Sequence, residues 1–179
     1  MSHVAAHTDD PPTISPSRSR AAAYVWALAR LCLGWIFLWA FLDKCFGLGH
    51  DTDSDASWLN GGSPTKGFLS NAATGPFESF YHDIAGKGWA DWLFMLGLLG
   101  IGAALVLGVV MRFAVGCGVV MLVLMWSVVL PPDSNPFMDD HLVYAVVLVG
   151  LALVGAEDTV GLGRWWGSLG LVRRYPLLK

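Results

Sequence analysis

The residues of this sequence that could do chemistry are few, and most stand at the edges of apolar runs. Arg30 is the exception, because Leu28, Leu31 and Leu33 surround it. A guanidinium at the centre of a membrane helix costs about 2.5–3.5 kcal/mol on insertion scales. Two arrangements relieve that cost: the side chain reaches the membrane surface, or it meets a buried acid. Glu157 and Asp158 are the acids placed for the second arrangement, and Arg112 competes for them. Such a pair would fix helix packing rather than perform a reaction. Asp43 and Lys44, followed by Cys45, close the first apolar run; Asp139, Asp140 and His141 open the last. If these two ends are neighbours, Lys44 meets Asp139 or Asp140 and His141 can move a proton, which defines a candidate site. The plainer reading of the second trio is capping, since aspartate at a helix N-terminus complements the dipole.

His50, His82 and His141 are the histidines beyond the first twenty residues, and none has partner ligands at a spacing that metals select. No metal site and no intrinsic haem are expected. Cys32 and Cys45 would lie on one helix, about 20 Å apart at its rise per residue, and Cys117 belongs to another element. Thiol–disulfide exchange needs paired thiols, so it is excluded.

The elements that must position these residues follow from composition. The 179 residues leave room for one compact domain; 55% are apolar and 14% charged, against about 25% charged in a soluble domain. With nine tryptophans, a mean hydropathy of +0.55 and a net charge of -3, a soluble surface, disorder and nucleic-acid binding are all excluded. What remains is an all-α integral membrane protein, solvated by the lipid bilayer. Four segments approach the roughly 20 apolar residues of a crossing: about 21–46, 89–110, 113–130 and 141–156. The fold class is therefore a four-transmembrane-helix bundle, with residues 1–20 a disordered tail. Arg112 marks a tight hairpin between the second and third helices, and Pro131 and Pro132 stop the third.

Cations flank the ends of these segments on one side: Arg18, Arg20, Arg112, Arg164, Arg173, Arg174 and Lys179. The positive-inside bias predicts a multi-pass protein of the plasma membrane with both termini cytoplasmic. Acids dominate the opposite side, accompanied by Lys44, Lys66 and Lys87. The outer loop of residues 47–88 is too long for a plain turn and should contain short interfacial helices. Ser63 before Pro64 reads as a helix start. Phe77, Phe80, Tyr81 and Ile84 share one face of a short helix, which lies in the headgroup layer or packs onto the bundle's end. Residues 159–179, with Trp165, Trp166, Leu169 and Val172, form a second interfacial segment on the cytoplasmic side. Gly100, Ala104 and Gly108, and then Ala114 and Gly118, are spaced for close helix approach within the bundle or between subunits.

The first helix runs Arg30, Gly34, Phe37, Leu38, Trp39, Ala40 and closes with Asp43 and Lys44; the second ends with Leu107 and Gly108 before Arg112; the fourth ends with Gly155 before Asp158. Together with the loop from Gly61 to Leu69, this order resembles the DoxX/DoxD family of small four-helix bacterial membrane proteins. The resemblance implies a bacterial inner-membrane subunit linked to quinone and envelope redox chemistry. In its DoxD branch that is thiosulfate:quinone oxidoreductase, with quinone as co-substrate. Thiosulfate would then sit near Lys44 and Lys66 and the amides of the Ser63 helix start, and quinone in a groove among Trp35, Trp39 and Trp126. The alternative is a non-catalytic accessory subunit that docks a redox enzyme or respiratory complex. Either reading implies a protein partner or a homo-oligomer. Many relatives carry an acid early in the second helix; here that stretch is Leu93 to Leu96, with Asp91 at its edge.

Overall fold

The computed structural model describes residues 16–133 and 135–179. Four long helices form the body: α1 (Pro16–Phe46), α4 (Gly88–Leu107), α5 (Met111–Val128) and α6 (Asp140–Val154). Short helices α2 (Lys66–Asn71) and α3 (Glu78–Ile84) lie in the loop after α1, and α7 (Gly163–Ser168) and α8 (Gly170–Arg174) follow α6. No strand occurs among the described residues. The first helix starts at Pro16, so the last five residues of the expected tail are helical; the rest of that tail lies outside the described residues.

Helices α1, α4 and α5 are long and apolar enough to cross a membrane. Helix α6, at 15 residues, spans about 22 Å, a shortfall that tilt or local thinning absorbs. Leu93, Phe113, Val146 and Leu153 are among the many large apolar side chains left exposed on these four helices. That exposure suits lipid as solvent, and the protein is a multi-pass membrane protein.

The four helices form a ring in which α1 packs on α4 and α6, and α5 packs on the same two. Phe37, Leu98, Ile101, Leu105, Leu122 and Leu148 fill its centre. Glycine sets the tightest contact. A Cβ on Gly34 would lie 2.9 Å from Val106 Cγ2, and one on Gly102 would lie 2.7 Å from Leu38 Cγ. Residue 34 thus faces 106 while 38 faces 102, an antiparallel contact close enough for dispersion to hold it without hydrophobic drive. The stripe expected from spacing is a different one: nothing lies within 4 Å of a Cβ on Gly100, and Gly108 has left the helix. Gly118 does pack closely, against Leu148.

Gly108, at φ 74°, turns the chain from α4 into a hairpin of residues 108–110. A Cβ here would be strained, and would also sit 3.2 Å from an Arg30 nitrogen. The loop after α1 holds a second core of Leu69, Ala73, Tyr81 and Val128 against the end of α5. The expected apolar face of α3 divides: Tyr81 and Ile84 pack on the bundle, while Phe77 and Phe80 stay exposed. Helix α2 starts at Lys66, two residues later than the Ser63–Pro64 signal indicates, although Ser63 Oγ still accepts the Lys66 N–H at 3.2 Å.

Candidate functional site

Arg30 is completely buried and takes neither of the expected arrangements. Its guanidinium donates to the carbonyls of Leu105 and Val106, and to that of Val160 at 2.5 Å. The last carbonyls of a helix have no partner inside it, and α4 ends at Leu107; Arg30 therefore caps α4 from the neighbouring helix. Glu157 is buried close by, but no ion pair joins it to Arg30: Glu157 Oε2 and Arg30 Nε both lack a hydrogen-bond partner. Gly155 ends α6 in the left-handed region and puts Glu157 and Asp158 in a separate turn, so they do not finish the helix as expected. Asp158 meets Lys179 Nζ at 3.2 Å, and Arg112 donates to the Pro176 carbonyl at 3.2 Å. Of the four residues expected to pair with one another, Arg30, Arg112 and Asp158 thus serve separate contacts, and Glu157 is buried without a partner for Oε2.

The polar residues at the loop end are also dispersed. Asp43 is buried and accepts the backbone N–H groups of His50 and Asp51, at 3.3 and 3.0 Å, which pins the chain as it leaves α1. Asp139 caps α6 through the Leu142 N–H at 3.2 Å and holds His141 Nδ1 at 2.6 Å. Asp140 and His141 are 3.5 Å apart. Among the described residues no ion pair joins Lys44 to Asp139 or Asp140. Lys66 is exposed, its stem beside Gly86.

Asp91, which the sequence places at the edge of the second helix without a role, is a further polar centre. It lies in the first turn of α4 and is buried. One of its oxygens accepts Ser63 Oγ at 2.8 Å, the Thr65 N–H at 3.0 Å and Thr65 Oγ1 at 2.6 Å. It ties the Ser63–Thr65 turn to the helix, and its signal was an acid between Trp89 and Trp92.

A groove of about 930 Å³ runs between α4 and α5. Phe94, Gly97, Gly100 and Ala104 line it from α4; Ala114, Cys117, Val120 and Met121 line it from α5. Phe68 of α2 and Phe80, Tyr81 and Ile84 of α3 line its loop end. The hydroxyls in its wall belong to Thr65 and Tyr81, both at that end. Tyr81 Oη lies 2.5 Å from Ser127 Oγ and 3.3 Å from the Leu124 carbonyl. The groove is apolar along its length and polar at one end, a shape for a long molecule with a polar head.

Trp35, Trp39 and Trp126 do not line it. Trp35 and Trp39 have ring centroids 5.8 Å apart, Trp39 meets the His50 ring edge-on at 5.1 Å, and Trp126 donates to the Phe137 carbonyl at 2.6 Å. The cysteines are unpaired: Cys32 is exposed, Cys45 buried, and Cys117 half-buried in the groove wall.

A family model described as DoxX matches residues 25–130, more than half of the chain, covering α4, α5, most of α1 and the loop that carries α2 and α3. No curated protein and no solved structure matches. The chain, a multi-pass membrane protein built as a four-helix bundle, belongs to the DoxX family.

Proposed function

We propose that this protein is a quinone-linked redox subunit of a bacterial plasma membrane, with both termini cytoplasmic, and that the groove between α4 and α5 holds the quinone. The observation that carries this reading is the groove itself, apolar along the bundle and supplied with hydroxyls only under α2 and α3. An isoprenoid tail suits the apolar length. The quinone ring then lies near Tyr81, whose phenol oxygen can accept from a quinol hydroxyl while its own proton is held by Ser127. Arg20, Arg112, Arg164 and Arg173 at the end bearing the termini support the orientation. Thiosulfate is the proposed electron donor, met at the opposite face with Lys44 and Lys66 as the available cations. Two thiosulfate dianions joined by a new S–S bond as tetrathionate release two electrons, which with two protons convert quinone to quinol.

Cys117 makes the groove testable. In a Cys32→Ser variant, a membrane-permeant maleimide reports on Cys117, and a short-chain quinone should slow that labelling severalfold. Gly100→Leu and Gly116→Leu build side chains where a Cβ meets nothing within 4 Å; they should fill the groove and abolish the protection without unfolding the bundle. Labelling indifferent to quinone would refute the groove assignment. Thiosulfate-dependent quinone reduction that survives Lys44→Ala and Lys66→Ala would refute the donor site. A second reading, an accessory subunit that docks a redox enzyme or another copy, is favoured by Gly100 and Ala104, small residues in the groove wall with open space at Gly100. It predicts crosslinks from Cys117 to a partner helix in place of quinone protection.

A further inference from the structure

The segment after α6 is held against the end of the bundle at several points. The Leu162 N–H donates to the Leu107 carbonyl at 2.8 Å, the Arg112 N–H to the Lys179 carbonyl at 2.9 Å, and the Arg112 guanidinium to the Pro176 carbonyl at 3.2 Å, while Trp166 Nε1 ties the segment to itself through the Leu178 carbonyl at 2.5 Å. Val172 is buried beneath it. What this plate presents outward is of two kinds. Trp165, Leu171 and Leu177 are well exposed, Leu177 at 75%. Arg164, Arg173 and Arg174 are exposed too, and no carboxylate pairs with any of them among the described residues. Among the described residues, the acids of this end are engaged or covered: Asp158 pairs with Lys179, and Glu157 is buried.

We infer that this plate is a docking surface for anionic phospholipid, with the arginines on the headgroup phosphates and the apolar side chains in the acyl layer. Charge complementarity selects an anion. The exposed apolar residues select a lipid over a soluble acidic partner, because they stand at the end of the bundle where Phe113 of α5 and Leu153 of α6 are also exposed. Through the Lys179 to Arg112 bond, a lipid seated here also braces the hairpin between α4 and α5. This inference does not depend on the quinone reading.

The test uses the full chain in detergent micelles doped with equal amounts of phosphatidylglycerol and phosphatidylcholine, with bound lipid counted by native mass spectrometry. Phosphatidylglycerol should be bound in excess. The Arg164→Gln/Arg173→Gln variant should lose that selectivity by about fivefold for each guanidinium removed. Lys66→Gln/Lys87→Gln, at the opposite face, should keep it. Equal binding of the two lipids by the unmodified protein would overturn the inference. So would selectivity retained in the arginine variant, or lost equally in the lysine variant. Displacement of the lipid by millimolar glycerol phosphate would also overturn it, since a soluble phosphate would then suffice.

Discussion

Replacing Arg30 by methionine keeps an unbranched chain of similar length and removes the charge and every donor. Three carbonyls, on Leu105, Val106 and Val160, lose their donor, and the buried Glu157 loses a cation whose charge it feels without a hydrogen bond. Hydrogen bonds involving a charged group contribute about 1.5–3 kcal/mol each, though not additively. Because the three bonds share one guanidinium, their joint contribution is less than their sum. Arg30→Met should therefore destabilise the bundle by about 3–5 kcal/mol. The assay is equilibrium unfolding in mixed dodecyl sulfate and dodecyl maltoside micelles, followed by tryptophan fluorescence. Adding Glu157→Gln to Arg30→Met should return part of the loss, with a coupling of about 1–3 kcal/mol in the double-mutant cycle. Neutral hydrogen bonds between membrane helices average only about 0.6 kcal/mol. A loss that small would mean that the unfolded chain in lipid offers Arg30 equally good partners, and the capping argument would fail.

Gly102→Ala, which drives a Cβ to within 2.8 Å of the Leu38 backbone nitrogen, should cost about 1–3 kcal/mol in the same unfolding assay. Gly100→Ala should instead be neutral or stabilising by up to about 1 kcal/mol, because it gains helix propensity and touches nothing. Asp91→Ala leaves the Ser63 hydroxyl and both Thr65 donors without their acceptor; a loss of about 1–3 kcal/mol should show as faster limited proteolysis between α1 and α4. Tyr81→Phe should cost about 1 kcal/mol and, on the groove reading, weaken quinone protection of Cys117.

The sequence was most informative where one residue's environment follows from its neighbours. Long apolar runs marked α1, α4, α5 and α6 because lipid demands them whatever the tertiary arrangement, and Arg112 marked the hairpin because a cation belongs at a membrane surface. The loop helices were legible as helices through the spacing of Phe77, Phe80, Tyr81 and Ile84. Their division between bundle and exterior was not, because both surroundings are apolar. The site residues fared worse for a related reason. Lys44, Asp139 and His141 are polar groups at helix ends, and which ends are adjacent depends on ring order. The tryptophans were chosen for type, whereas the groove is made by glycine and alanine, which leave space rather than fill it.

Sequence alone determined that lipid solvates this chain, that four long helices build its body, and that a buried arginine must find partners. Tertiary structure alone decided who those partners are: the carbonyls that end α4, rather than Glu157. It also decided that Gly34 and Gly102 face a neighbouring helix while Gly100 faces open space. The physical reason is that a helix displays its side chains around its whole circumference, and in an apolar medium hydropathy does not distinguish the face that meets protein from the face that meets lipid.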